Sequence, residues 1–365
     1  MAGHLVSRTA PEVPDAAATW SGEDVAPGDV EEALRHLLQE QYARDGAHAP
    51  ARVLNLVVVI DREWRGEVMN RLEQVGRYHA SRTILCTVEP RRETIDASVL
   101  MTVDGDGARD DVALMRERVV LTVGEKHLPK LDTIVDPLVV TDLQTLVWSP
   151  HGHPEAVDAL LHLAQVVLVD SVNEPDAAAA LRRAKELSDD AYVVDLAWLR
   201  STPWRERVAA TFDPPRLRDD LLRIDSVTIR HHPTSRAAGV LFFGWLSSRL
   251  GWRPGTLMEA NGASRGTAHG PRDDIALTLE PESEQAVPGL AGVEIHTSSG
   301  TSISLDRGPG GLVACRRDRK GKEQRWTVLG ASRGEGGILG EGIRQALLRD
   351  PTYAGALGCG EALLR

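Results

Sequence analysis

The side chains best suited to chemistry gather between Tyr192 and Phe212. Asp195 interrupts an apolar run, Tyr192-Val-Val-Asp195-Leu-Ala-Trp198. A lone buried carboxylate is costly, so Asp195 must be exposed or paired, and Arg200 and Arg205 are the available partners. Thr202 is expected to cap the next helix, with Pro203 at its first position and Trp204 behind it. Trp and Arg are frequent anchors of binding surfaces. Trp198, Arg200, Trp204 and Arg205 therefore read either as a partner-binding surface or as the satisfied boundary of a core. Asp170-Ser171 closes a second strand-like run. Ligands bind at the carboxyl ends of strands in open α/β sheets, and helix-capping Asp and Ser favour the same place. Both readings of Asp170 and Ser171 stand.

Other chemistries find less support. The phosphate loop GxxxxGK[ST] is absent, and no GxGxxG opens a helix after a strand. Gly334, Gly336, Gly337, Gly340 and Gly342 match no phosphate-loop spacing and read as a turn and helix start. There is no HExxH and no GxSxG. His151 and His153 flank Gly152 without a visible third ligand, so no metal is expected. His231 and His232 end a strand, where neighbouring side chains point to opposite faces. Cys86, Cys315 and Cys359 are odd in number and far apart, which fits neither a disulfide framework nor a CxxC zinc site. Arg316, Arg317, Arg319, Lys320, Lys322 and Arg325 form a basic stretch, either a contact for an acidic partner or a charged hairpin turn that guards an edge.

The elements that must carry these residues follow from periodicity. Apolar runs at 52–60, 83–88, 95–103, 118–123, 143–148, 165–170, 191–196 and 226–230 predict strands. Helical spacing predicts helices near 30–42, 63–79, 128–140 (broken at Pro137), 154–164, 176–187, 203–211 and 236–250, with a polar helix or turn at 216–222. Asp104-Gly105-Asp106-Gly107 is a turn. Beyond Pro254, Gly and Pro punctuate short strands, and 312–316 with 324–329 predicts a hairpin. A helix at 337–348 and a short one near the C-terminus follow. The fold class is α/β: N-terminal and C-terminal α/β domains with a largely parallel sheet, plus an antiparallel β region and a closing helix. The expected boundaries are a flexible tail at 1–28, domains at 29–152 and 153–350 (α/β to about 254), and a C-terminal tail at 351–365.

Length and charge set outer limits. The 365 residues favour two domains. A net charge of −11, from 42 basic and 53 acidic residues, repels nucleic acid and anionic membrane surfaces. No apolar run reaches the roughly 20 residues of a membrane span, and the first 20 residues lack a signal core. A cytoplasmic protein is expected.

Asp195-Leu196-x-Trp198-x-Arg200-x-Thr202-Pro203-Trp204-Arg205 resembles the pattern of the glucose-6-phosphate dehydrogenase assembly protein family, OpcA. Agreement in order comes from Arg52-Val-Leu-Asn55-Leu-Val-Val-Val and from Pro137-Leu-x-x-x-Asp142-Leu-x-x-x-x-Trp148. It continues through Asp170-Ser171 and Ser248-Arg249-Leu250-Gly251-Trp252. Ser149 follows Trp148 where members often carry a second aromatic. The resemblance spans about residues 29 to 350. It implies an accessory subunit without catalytic residues or cofactor, one that binds glucose-6-phosphate dehydrogenase and promotes its active oligomer. The setting it implies is the oxidative pentose phosphate pathway and NADPH supply. In photosynthetic relatives regulation is tied to redox state, which the three cysteines permit. Two competing readings are a sugar-phosphate-binding enzyme or sensor built on Asp170, Ser171, Asp195, Arg200 and Arg205, and a general scaffold.

Overall fold

Leu54–Asp61 is a run of Val, Leu and Ile broken only by Asn55, and a segment so apolar is stable only when both its faces are covered. In the computed structural model it is a central strand, with every residue from Leu54 to Ile60 buried. Asn55 is tolerated there because its amide donates to the Val140 carbonyl at 3.0 Å and accepts the Val140 N–H at 3.0 Å. The structure describes residues 18–44, 52–76, 81–104, 114–172, 174, 176–308, 310–329 and 334–365. Residues 1–17 and the predicted turn residues 105–107 lie outside that set.

The chain forms two compact units, Met1–Met69 with Gly76–Ala164, and Asn70–Val75 with Gln165–Arg365. The elements up to residue 164 are β1 (Ala18–Gly22), α1 (Pro27–Arg44), β2 (Leu54–Asp61), α2 (Arg65–Gly76), β3 (Ser81–Val88), β4 (Asp96–Asp104), β5 (Leu114–Val123), α3 (Leu131–Val135), β6 (Gln144–Trp148) and α4 (Pro154–Leu160). The order β5-β3-β2-β6 is parallel throughout. β4 and then β1 extend it in antiparallel fashion beyond β5. Part of the segment 1–28 expected as a tail is thus β1, paired from Ala18 with Met101 to Gly22 with Ala97. The helix expected over 128–140 is instead a short α3 between two 3₁₀ turns, Glu125–Lys130 and Asp136–Leu138, because Pro129 and Pro137 each remove a backbone donor.

The second unit opens with β7 (Val166–Val169), α5 (Ala177–Leu187) and β8 (Tyr192–Asp195), and β7 and β8 are parallel. Next come α6 (Leu196–Arg200), α7 (Thr202–Phe212), α8 (Pro215–Leu221), β9 (Ile224–His231) and α9 (Arg236–Leu250). The remaining strands are β10 (Arg253–Pro254), β11 (Met258–Ala260), β12 (Ala263–His269), β13 (Asp274–Pro281), β14 (Leu290–Thr297), β15 (Ser302–Gly308), β16 (Gly311–Arg317) and β17 (Glu323–Leu329). α10 (Gly334–Leu348) and α11 (Tyr353–Leu363) close the chain.

These later strands form a sheet of order β10-β12-β13-β9-β14-β15-β16-β17, with β11 on β12. The expected hairpin is β16–β17. β9 reads in sequence as the last strand of the α/β run, yet it sits within this sheet, parallel to β13 and antiparallel to β14.

α9 is apolar all round and is buried from Ala237 to Gly244. On one side it lies on the sheet: a Cβ on Gly239 would come within 2.4 Å of Leu279 Cδ1. On the other it meets α11: a Cβ on Gly244 would lie 2.1 Å from the Ala356 carbonyl oxygen. Residues 351–365, set apart as a tail but expected to hold a short helix, carry one whose Tyr353, Ala356, Leu357 and Leu363 are buried.

Candidate functional site

β8 is short because Asp195 ends it. The Asp195 carboxylate accepts the Ala197 N–H at 2.9 Å and so caps α6, a helix where the apolar pattern predicts strand through Leu196. The same carboxylate accepts the Ser171 N–H at 3.2 Å, the Ser171 hydroxyl and the Tyr353 hydroxyl at 3.2 Å. Asp195 is 1% exposed. Burial pushes its pKa up to about 6, helped by the nearby Asp170 charge and opposed by the Ser171 and Ala197 hydrogen bonds. Burial also raises the Tyr353 phenol well above its ordinary value, and the Asp195 charge adds to that.

Neither arginine expected to pair with Asp195 does so. Arg200 instead grips Asp170 in a two-pronged ion pair, Nη1 to Oδ1 and Nη2 to Oδ2, each 2.7 Å. Arg205 lies over the Trp198 ring, with Cζ 3.3 Å from the ring centroid. Its Nη2 donates to Thr202 Oγ1 at 2.9 Å, and its Nη1 lies 3.7 Å from Asp350 Oδ2. Burial lowers the Arg205 pKa to about 10, against the opposing pull of Asp350. The guanidinium remains charged at neutral pH.

Asp350 is the second node. It accepts the Trp198 indole N–H at 2.8 Å and the Thr352 backbone N–H at 2.8 Å, and its own N–H donates to Tyr192 Oη at 2.5 Å. Burial works against its charge, but the Thr352 and Trp198 hydrogen bonds and the Arg205 charge outweigh that and hold its pKa below the ordinary value. Thr202 is not the cap: it is already the first residue of α7, behind Ser201, and Pro203 follows. Trp204 is buried on α7, and Arg307 Cζ lies 5.9 Å from its ring centroid.

All nine residues singled out in sequence thus fall in one cluster of the second unit, around the carboxyl ends of β7 and β8. Asp170, Ser171 and Asp195 meet Arg200 and α6, while Trp198, Thr202, Pro203, Trp204 and Arg205 form the next layer. Sequence reasoning missed Asp350 and Tyr353 and gave Tyr192 no role, although all three complete the nodes. The Asp350-Pro351-Thr352 turn before an apolar run was the available signal.

Chemically the cluster holds, rather than presents, its reactive groups. The Ser171 hydroxyl donates to the Asp195 carboxylate, and the residue is 3% exposed, which leaves the hydroxyl engaged and buried. Trp198 and Trp204 are each 2% exposed, and Arg205 7%.

Elsewhere, His153 Nε2 lies 3.1 Å from Asp61 Oδ1, and His151 stacks on Trp64 at 4.3 Å. His231 Nδ1 lies 2.7 Å from the His232 carbonyl, and burial lowers its pKa. Among the described residues, no three His, Cys, Asp or Glu side chains are placed to share a metal, and no helix is long and apolar enough to cross a membrane. Cys86 is buried, which pushes its thiol up to about 12, and Cys315 and Cys359 are part-exposed.

Comparison with known proteins fits this arrangement. One family model describes the C-terminal domain of the glucose-6-phosphate dehydrogenase subunit. It matches residues 191–357, beginning at β8 and running through both nodes. The model for the N-terminal domain of the same subunit matches residues 72–186. The chain belongs to this family, OpcA.

Its relatives include the OxPP cycle protein OpcA of Synechococcus elongatus, 28% identical over 53% of this chain and 44% of that protein. The protein of the same name from Nostoc punctiforme is 30% identical over 40% of this chain and 32% of that one. The chain thus spans less than half the length of these curated relatives. Among solved structures, the oxidoreductase yvaA from Bacillus subtilis aligns over 84% of this chain and 95% of its own, with 12% identity and a TM-score of 0.47. A scyllo-inositol dehydrogenase from Lactobacillus casei aligns over 86% and 96%, with 12% identity and a TM-score of 0.43.

Proposed function

We propose that this chain is a non-catalytic subunit that binds glucose-6-phosphate dehydrogenase and favours its active oligomer, in the cytoplasm and within the oxidative pentose phosphate pathway. The match of both domain models to a subunit of that enzyme carries the reading. The site adds support, since the arginines that would suit a sugar phosphate are committed to Asp170 and to the Trp198–Asp350 node. The motif residues then act from inside, by shaping the surface above them.

The mechanism needs no chemistry in this chain. A protein that binds the active oligomer more tightly than the inactive form shifts their equilibrium by its differential affinity. About 2.7 kcal/mol, a hundredfold, is well within a specific interface.

The test is the activity of the same organism's glucose-6-phosphate dehydrogenase with and without this chain, with size exclusion on the same mixtures. Co-elution with raised activity or a larger oligomer is expected. Two folded proteins that neither co-elute nor change in activity, under reducing and oxidising conditions alike, would remove the reading. Heat on titrating glucose 6-phosphate into the chain alone would favour the sensor instead.

A further inference from the structure

We propose that the uncovered face of the sheet in the second unit docks a second copy of this chain, giving a face-to-face dimer. α9 covers one face of that sheet, against Ile229 and Leu279. Residues alternate between faces along a strand, and burial alternates accordingly along β13 and, from Val293 onward, along β14. The register sets Thr228 of β9 beside Thr278 of β13, with Glu294 of β14 and then Ser304 of β15 on its other side, all on the uncovered face. Ser226, Ala276, His296 and Ser302 form the next row. None of these eight is buried.

Three observations point to a second copy. First, the middle of the face is flat. Ser, Thr and Ala dominate it, and Arg230 lies across Gly292 to reach Asp306 rather than standing off the surface. Stacked sheets lie about 10 Å apart, and side chains of that size leave a second sheet free to come so close. Second, the charges of the face nearly balance: Arg230, Arg265, Arg317 and Arg325 stand against Asp274, Glu280, Glu294, Asp306 and Glu323, with Arg230 paired to Asp306 and Arg317 to Glu323 at 2.6 Å. Copies of a chain carrying −11 repel one another in general, and a face of small net charge is where they can meet. Third, the area suffices. Seven strands, β12 to β17 with β9, spaced about 4.8 Å apart and about 24 Å long, cover on the order of 800 Å². A stable interface buries about that much on each partner. This inference does not rest on the dehydrogenase reading.

The experiment is size exclusion with light scattering on the full chain over a concentration series. The wild type is compared with Thr228→Arg/Ser304→Arg, which puts two like charges in the middle of the face. The wild type is expected at twice the chain mass, dissociating on dilution. The variant is expected at the chain mass, with an unchanged circular dichroism spectrum and melting temperature. If the double variant fails to fold, Ser226→Lys tests the same face. A wild type monomeric at every concentration overturns the proposal, as does a dimer that persists in a folded variant. A monomeric wild type whose variant loses only its co-elution with glucose-6-phosphate dehydrogenase assigns the face to that enzyme and equally overturns it.

Discussion

Asp195 collects four hydrogen-bond donors, and its chemistry dictates what substitution does. Asp195→Asn turns an amide toward donors that have no other acceptor, so a loss of about 2–4 kcal/mol is expected by urea denaturation. Tyr353→Phe removes one neutral donor and should cost about 1 kcal/mol. The raised pKa of Asp195, about 6, gives a pH signature. The folded state holds this proton more tightly than the unfolded state does. The contribution is therefore complete below about pH 4 and fades as pH rises toward about 6, by roughly 3 kcal/mol at most. Denaturation of wild type and Asp195→Asn between those limits should show the wild type losing stability relative to the variant as pH rises. A difference that grows instead would mean the donors, not burial, set the titration. The sequence located this residue and the rule it obeys. It misassigned the partners, because Asp350 and Tyr353 lie more than a hundred residues downstream and only tertiary packing brings them in. The alternation of charge in the motif suggested Asp195 with Arg200 or Arg205, whereas the fold pairs each with an acid from elsewhere.

The elements were more legible than their pairings. α9 was readable to the residue, since an unbroken apolar helix closed by Gly251 leaves little choice. α6 was not, because Leu196-Ala-Trp198-Leu suits a strand as well as a helix, and the capping bond of Asp195 decides it. α11 exists because α9 has a second apolar side that needs cover. Its contact is close enough to be tested with two glycines. Gly244→Ala drives a methyl group into the Ala356 carbonyl and should lower stability by about 1–3 kcal/mol. Gly358→Ala, on the exposed side of α11 with nothing within 4 Å, should raise it by about 0.5–1 kcal/mol. Melting curves of the two variants check both signs at once. If the Gly244 variant melts like wild type, the two helices are not in contact at that point.

At the scale of the whole molecule, a subunit that acts by binding must leave a thermodynamic mark on its partner. Glucose-6-phosphate dehydrogenase should gain thermal stability in proportion to the logarithm of added chain, about 2.7 kcal/mol at a hundredfold excess over Kd. A melting temperature indifferent to the chain would sink that expectation. Trp204→Ala should weaken the effect only as far as it lowers the folded fraction, since Trp204 is buried beneath the surface. Another consequence lies in β9, which holds the sheet of the second unit together while both its neighbours, β13 and β14, are encoded after it. As the chain leaves the ribosome, β9 emerges with two bare edges, and α9, next in line, can cover only a face. Pairing must wait for distant segments, which makes folding slow. In that interval bare edges recruit wrong strands. The strand that anchors the finished sheet is the one most in need of shelter while the protein is being made.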